Sequence, residues 1–453
     1  MLLDPRRSGV AAALCGLLLC GCLTYAATGK KRPTPMAEKK EVSLGQEADR
    51  QTVASLGLYG SQELQAFVQR VGNKLAPKSE RPGLTWTFRL VDDPAVNAFG
   101  LPGGFIYVTR GLMTYLNSEA ELAAVLGHEI GHVVARHTSR EIGRSWSVKF
   151  SRDDEREADE LGLQYLVRAG YDPRPMTEVF SLLGNVCRLG GGGRLPDWLS
   201  THPNPEDRKQ RMGRQIIALG QGFDGATVER DRYLQRLDGM VFGENPREGY
   251  FEGNLFFHPD LKFRFELPED WIVQGLRDLV KGASPDEGAA VQLTLSDKAT
   301  PDAAVERFFA QQGLRRGRVW SEPTHGLPAV WAEFEPASEE LPYRGLAMFI
   351  AYEGKVFQLV AIIGRGTWLE YLPTVKRTLS SFGPLTDPRA LAVEPMRLQV
   401  VRLADDMSLE QFAKRYPSSV PLDRLAVINH LEARAQLKAG QTLKRVVLGK
   451  SPA

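Results

Sequence analysis

Cysteine is scarce in this sequence. The chain of 453 residues has 4 cysteines, and Cys15, Cys20 and Cys22 crowd the N-terminus, leaving Cys187 alone in the remainder. No disulfide framework can be built from that set, so stability must come from packed cores and, where there is one, a metal. Net charge is slight as well, formally +2 with acids and bases interleaved, which argues against a nucleic-acid stripe or a polyanion-binding face. No apolar run beyond the N-terminus approaches the roughly 20 residues that a membrane-spanning helix needs. Histidine is also rare, 7 in all, so any two that stand close together carry weight. What is present is the composition of a folded chain, long enough for several domains.

The N-terminus has Arg6 and Arg7, an apolar stretch from Val10 to Leu19, then Leu19-Cys20-Gly21-Cys22. This is the pattern of an export signal, too short to be a permanent membrane helix, and a small residue before Cys22 resembles the lipobox of bacterial lipoproteins. We therefore expect a signal peptide over residues 1–21 and a lipidated Cys22. A flexible Lys- and Pro-rich linker over 22–41 follows. Leu23 in place of Asp is consistent with outer-membrane sorting.

Three folded regions follow. Residues 42–240 read mainly as helices with a small strand region at Trp86–Val91 and Phe105–Thr109. Residues 245–386 alternate apolar and polar side chains, as in Lys262–Glu266, Val291–Leu295 and Met348–Tyr352, and are interrupted by helical patterns at Pro301–Gln312 and Trp368–Phe382. That mixture predicts an α+β sandwich, and its opening FFHPDLKFRFELPEDW resembles the PsbP-like fold. Residues 395–449 read as β-α-α-β: a strand at Leu398–Leu403, a helix capped by Ser408 and Gln411, a helix from Pro421 and a strand at Thr442–Val447. With Leu437-Lys438-Ala439-Gly440-Gln441, this tail is similar to a LysM module. That resemblance implies contact with peptidoglycan, although Asp405-Asp406-Met407 stands where the usual Gly-Asp turn would be.

The chemistry concentrates in His128-Glu129-Ile130-Gly131-His132. Ser118-Glu119-Ala120-Glu121 forms a capping box that opens a helix, whose apolar side is Leu122, Val125, Leu126, Ile130, Val133 and Val134. His128 and His132 then stand one turn apart, where both imidazoles can ligate one zinc ion while Glu129 reaches a water on the metal. Gly131 leaves room for close approach. A catalytic zinc takes three protein ligands, and the acids of Arg152-Asp153-Asp154-Glu155-Arg156-Glu157-Ala158-Asp159-Glu160 are the downstream candidates. Glu155 and Asp159 share a helical face, and Asp159 can accept a hydrogen bond from a ligand histidine. Glu157 points the other way.

The motifs HEIGHVVARH, SRDDEREADELG, AGYDP and STHPNPEDR resemble those of the HExxH zinc metallopeptidase family of the CAAX prenyl endopeptidase, HtpX and BepA. The resemblance covers roughly Val42 to Leu237 and implies a zincin-type domain binding one Zn2+ per chain. It makes Glu155 the third ligand beside His128 and His132, Asp159 the residue that orients a ligand, and Glu129 the general base. It also places His202 beside the metal, either stabilising an oxyanion or filling the open coordination position. Relatives carry a longer segment between the two motif helices than Val133–Asp154 here, which implies a more open cleft or a lid supplied by the C-terminal domains.

Around that cleft, Asn97-Ala98-Phe99 and Pro102-Gly103-Gly104 read as a turn into an edge strand. An extended substrate would pair there with Gly104, Phe105, Ile106 and Tyr107. Arg208 is expected to bind a nearby carboxylate or the substrate. His137, five residues after His132, is read as structural, and His258, His325 and His430 are assigned no chemistry. The leading expectation is thus a lipid-anchored metalloendopeptidase of the bacterial envelope, facing the periplasm, that acts on unfolded or misassembled polypeptides and binds no nucleic acid. Beside it stand an assembly or chaperone factor with a structural zinc, and a cell-wall-binding scaffold acting through the tail.

Overall fold

The computed structural model describes residues 37–138, 150–189, 202, 204–220, 222–276, 279–338 and 341–449. The expected signal segment, Cys22 and most of the linker lie outside the described residues, as do residues 139–149 between the motif helices. Two compact units emerge, Lys31–Asn245 with Glu394–Ala453, and Pro246–Val393. Among the described residues no helix is long and apolar enough to cross a membrane.

The first unit opens with helix α1, Glu38–Leu56, which begins inside the span expected to be linker. The charged composition there reads as solvated, but Glu41 is buried and accepts from Arg81 at 2.9 Å, so the segment is anchored by ion pairs that only tertiary packing supplies. Helix α2, Gln62–Leu75, is capped by Ser61 and buries Leu64, Phe67, Val68, Val71 and Leu75 at helical spacing. Three strands follow: β1 Thr87–Val91, β2 Ala98–Leu101 and β3 Phe105–Thr109.

Their order is β1-β3-β2, with β3 parallel to β1 and antiparallel to β2. This corrects the expected edge strand: β3 is central, and every residue of it is buried. Its uninterrupted apolar run is the mark of a strand covered on both sides. The β2–β3 turn closes on Gly103 and Gly104, both at positive φ, and a Cβ on Gly103 would meet Val42 Cα at 2.7 Å.

Helices α3 Arg110–Tyr115, α4 Glu119–Val134, α5 Arg152–Arg168, α6 Pro175–Leu189, α7 Pro205–Ala218 and α8 Arg230–Arg236 complete this part of the unit. Ser118 caps α4 by accepting from the Glu121 N–H. The expected capping box closes only by half, because the Glu121 carboxylate accepts from Asn117 N–H instead of returning to Ser118.

The second unit has strands β4 Tyr250–Glu252, β5 Leu255–His258, β6 Phe263–Glu266, β7 Ile272–Leu276, β8 Leu279–Ala283 and β9 Ala289–Leu295, then helix α9 Pro301–Phe309. Strands β10 Leu314–Ser321, β11 Ala329–Pro336, β12 Tyr343–Tyr352 and β13 Lys355–Gly364 precede helix α10 Trp368–Ser380, strand β14 Gly383–Pro384 and helix α11 Pro388–Leu391. Seven strands pair in the order β10-β11-β12-β13-β9-β8-β7, and four as β14-β6-β5-β4. Alternation along β12 explains the layers. Leu346, Met348 and Ile350 meet Phe263, Phe265 and Leu379 on one face, while Ala347 and Phe349 meet Ala304, Val305 and Phe308 of α9 on the other. The α+β expectation describes this unit.

The tail contains β15 Met396–Arg402, β16 Met407–Ser408, α12 Leu409–Arg415, α13 Leu422–Ile428, β17 Gln436–Leu437 and β18 Thr442–Leu448. Both bonds of the Ser408–Gln411 capping box form. The tail is not a unit apart, however. Leu398, Leu425, Ile428 and Val446 share one core with Leu122, Leu126 and Leu183. Lys444 is fully buried, and its Nζ donates to the carbonyls of Thr114 and Leu116 at 2.8 Å each. Asn117 donates to Ile428 O at 3.0 Å, and Leu398 N–H to Met240 O at 2.8 Å.

Candidate active site

The site is made where α4 and α5 cross. A Cβ on Gly131 would lie 2.8 Å from the Ala158 carbonyl, and one on Gly162 would lie 3.0 Å from His128 N. Only glycine permits so close an approach of the two backbones. It brings Glu155, in the first turn of α5, against His128 and His132 of α4.

His132 Nε2 is 3.0 Å from His128 Nε2, and Glu155 approaches these atoms at 3.3 and 3.6 Å respectively. His202 adds its Nδ1 at 2.8 Å from Glu155 Oε1 and 3.2 Å from His128 Nε2. All four side chains are buried, and their donor atoms lie within 4.8 Å of one another. Four ligand atoms placed about 2.1 Å from a tetrahedral centre stand roughly 3.4 Å apart, which is the spacing seen here.

Glu129 is fully buried, and among the described residues neither of its carboxylate oxygens has a hydrogen-bond partner. His202 Nε2 faces Oε1 from 3.7 Å, beyond hydrogen-bond reach, and a buried carboxylate without hydrogen bonds costs several kcal/mol, so a water or substrate group fits beside it. The donor set and the orphaned oxygens together fit a zinc ion, with His202 standing where a fourth ligand would. His128, His132 and Glu155 are the residues that would hold it.

Asp159 stands behind the cluster. Its Oδ1 accepts from His128 Nδ1 at 3.0 Å, which leaves the His128 Nε2 lone pair facing the cluster. Arg208 Nε and a terminal nitrogen reach the two Asp159 oxygens at 3.0 and 2.6 Å, and Arg211 adds a third contact at 2.6 Å. Burial pushes the Asp159 carboxyl up, but the Arg208 charge and the bonds from His128 and Arg208 outweigh it and hold it well below the carboxylate range. For Glu155 too, burial is the largest influence and raises the pKa. The charges of His202 and Arg208 and the contacts with His132 and His202 overcome it and hold the group well below the carboxylate range.

Arg208 is buried, 2.8 Å from Glu155 Oε2, with its guanidinium 4.6 Å from the Phe180 ring centre. It is committed to the carboxylates, so the expected substrate contact is corrected. Gly104, Phe105, Ile106 and Tyr107 are likewise enclosed between β1 and β2 and offer no free edge. The strand that lies against the site is β2: a Cβ on Gly100 would be 3.6 Å from Glu129 Oε2. His137 is also not remote, since its Nδ1 lies 3.0 Å from His132 Nδ1.

Sequence reasoning missed Arg211, which its spacing of three from Arg208 places on the same face of α7. It also missed Phe150, whose ring stacks on His132 at 3.9 Å. Nothing in the sequence pattern marks Phe150.

Comparison with known proteins bears on the same segment. The profile of Peptidase family M48 matches residues 62–145 and 143–215. Residues 62–215 thus resemble an M48 domain. Over 168 residues it is 38% identical to the mitochondrial metalloendopeptidase OMA1 of Arabidopsis thaliana, covering 31% of this chain and 34% of that protein. Over 207 residues it is 28% identical to the beta-barrel assembly-enhancing protease of Yersinia pestis, covering 37% of this chain and 42% of the relative. The match to these relatives spans well under half of their length. Among solved structures, the PsbP protein of Synechocystis superposes on 30% of this chain and 94% of its own, with 14% identity and a TM-score of 0.25. At that score the α+β description of residues 246–393 rests on their own strands and helices.

Proposed function

We propose that the M48 domain is a zinc-dependent metalloendopeptidase. The observation that carries this reading is the convergence of His128, His132 and Glu155 beside a Glu129 whose buried oxygens have no hydrogen-bond partner among the described residues. His128, His132 and Glu155 would hold a zinc ion, which would supply Lewis-acid chemistry to a water and the scissile carbonyl. Glu129 takes the proton of the attacking water on a carboxylate oxygen and passes it to the leaving amine nitrogen. Asp159 holds His128 in the ligating tautomer, and Arg208 and Arg211 hold Asp159. His202 would either donate to the developing oxyanion or serve as a further ligand, and its closeness to Glu155 supports the second role.

Substrate is taken as an extended strand along β2, whose Gly100 runs beside Glu129. Such backbone pairing suits unfolded or misassembled polypeptides. Family likeness and the export-signal pattern ending at Cys22 support a reading in which this activity sits at the bacterial envelope, lipid-anchored and facing the periplasm. The PsbP-like assignment of the middle unit and the LysM-like assignment of the tail belong to the same reading. The burial of the tail against α3 and α4 weighs against a freely binding cell-wall module.

The test is zinc content and hydrolysis of an unfolded casein-type substrate by wild type and Glu129→Gln. The variant should retain one zinc and lose roughly 10²–10⁴-fold in rate. Hydrolysis at the wild-type rate would overturn the proposal.

A further inference from the structure

His128 and His132 need the same service, because a histidine ligates through one ring nitrogen only when the other is held in a defined hydrogen bond. Asp159 supplies it to His128. For His132 the partner lies just past the end of its own helix. α4 ends at Val134, Ala135 caps it, and Arg136 takes φ 58°. A left-handed backbone is strained for any residue other than glycine. Arg136 is held there with its Nε 3.5 Å from the buried Glu41 carboxylate. The reversal turns the chain back so that His137, 1% exposed, lies under the ligand with its Nδ1 3.0 Å from His132 Nδ1.

The other side of the His137 ring decides the tautomer. Its Nε2 is 3.2 Å from Asp154 Oδ1 and 3.2 Å from Glu157 Oε2. Carboxylates only accept, so Nε2 carries the proton and donates it. In the neutral ring Nδ1 is then a lone pair, and it accepts from His132 Nδ1–H. That leaves the lone pair of His132 Nε2 facing His128 and Glu155. The reverse arrangement would put a proton on His132 Nε2, aimed into the cluster, where it would block ligation. The other oxygen of Asp154 serves the Ser151 cap.

We propose that His137 is the positioning residue for His132, linking it to Asp154 and Glu157 on the two sides of Glu155. This rests on the zinc-site reading and adds to it. The two ligand histidines are oriented by different means, one by a carboxylate directly and the other through a second imidazole. Arg136 in its left-handed turn is what brings that imidazole into place.

The test uses the full chain. Zinc affinity is measured by competition with a chromophoric chelator for wild type, His137→Phe and His137→Asn, and the Co2+ absorption bands are recorded for each. His137→Phe removes both ring nitrogens and should bind zinc 10–100-fold more weakly with shifted Co2+ bands. His137→Asn keeps an acceptor near the Nδ1 position and should recover most of the affinity. Equal affinity in wild type and His137→Phe overturns the proposal, as does equal loss in the two variants. In zinc-loaded wild type with ¹⁵N-labelled histidine, NMR should find His137 protonated on Nε2, and protonation on Nδ1 overturns it without recourse to any variant. Wild type that binds no zinc would instead remove the zinc-site reading beneath it.

Discussion

Acid should loosen the junction of the tail with α4 through one imidazole, His430. Its Nε2 donates to Tyr115 O at 3.1 Å, and its Nδ1 faces Glu121 at 3.6 Å. Burial, then the charges of Lys444 and Arg230, push its pKa from 6.5 down to about 3, against a smaller opposing effect of the Tyr115 bond. The folded pKa is depressed, so the unfolded chain binds the proton more readily. The associated stability is complete above pH 6.5 and is lost as pH falls toward 3.

At pH 5 the unfolded imidazole is mostly protonated and the folded one almost wholly neutral. The loss is then about 1.5 pH units at 1.36 kcal/mol each, or about 2 kcal/mol. His430→Gln keeps a donor for Tyr115 and has no titration. Glu121, which burial pushes up to about 8, contributes a slope of opposite sign in both proteins and cancels in the comparison. Hydrogen exchange of the β18 amides reports opening of this unit. Between pH 7.5 and 5.0, wild type should lose about 2 kcal/mol more of its opening free energy than His430→Gln. Curves that stay parallel within about 0.5 kcal/mol would refute the reasoning.

Other outcomes follow from the same contacts. Gly131→Ala forces a Cβ to within 2.8 Å of the Ala158 carbonyl. It should cost about 1–3 kcal/mol and weaken zinc binding by moving Glu155, measurable by melting and chelator competition. Lys444→Met strands the carbonyls of Thr114 and Leu116 and should lower stability by about 2–4 kcal/mol in urea titration followed by exchange of α4 amides. Ending the chain before Glu394 uncovers apolar side chains of the shared core. The truncated protein should aggregate or lose its exchange protection in α4, whereas a soluble, active truncation would show the tail to be dispensable.

Helical periodicity was enough to locate α4 and α5, because both carry caps and apolar spacing within one local stretch. The α+β character of residues 246–393 was readable for the same reason: each strand shows its alternation in its own few residues. The strand order of the first sheet was not. The unbroken apolar run of Phe105–Thr109 marks a buried strand, but which strands flank it depends on residues well before it in the chain. Glu38 to Glu41 look like solvated linker until Arg81 is folded against them. The tail reads as a separate module because its cap and strands are self-consistent. Its Lys444, buried among carbonyls of α3 and the turn after it, has no local signature at all.

By itself, then, the sequence determined the chemistry: two histidines and a glutamate on one helix, and an acid pair on another. These depend on spacing within a turn or two, which the helix geometry sets without help. Tertiary structure decided which polar groups serve which. It committed Arg208 to Asp159 and Glu155, turned His137 back beneath His132, put β2 beside Glu129, and joined the tail to the metal helix. Each of those is a meeting of distant segments in a low-dielectric interior, where a buried charge or imidazole must find its partner and the partner's place in the sequence is immaterial.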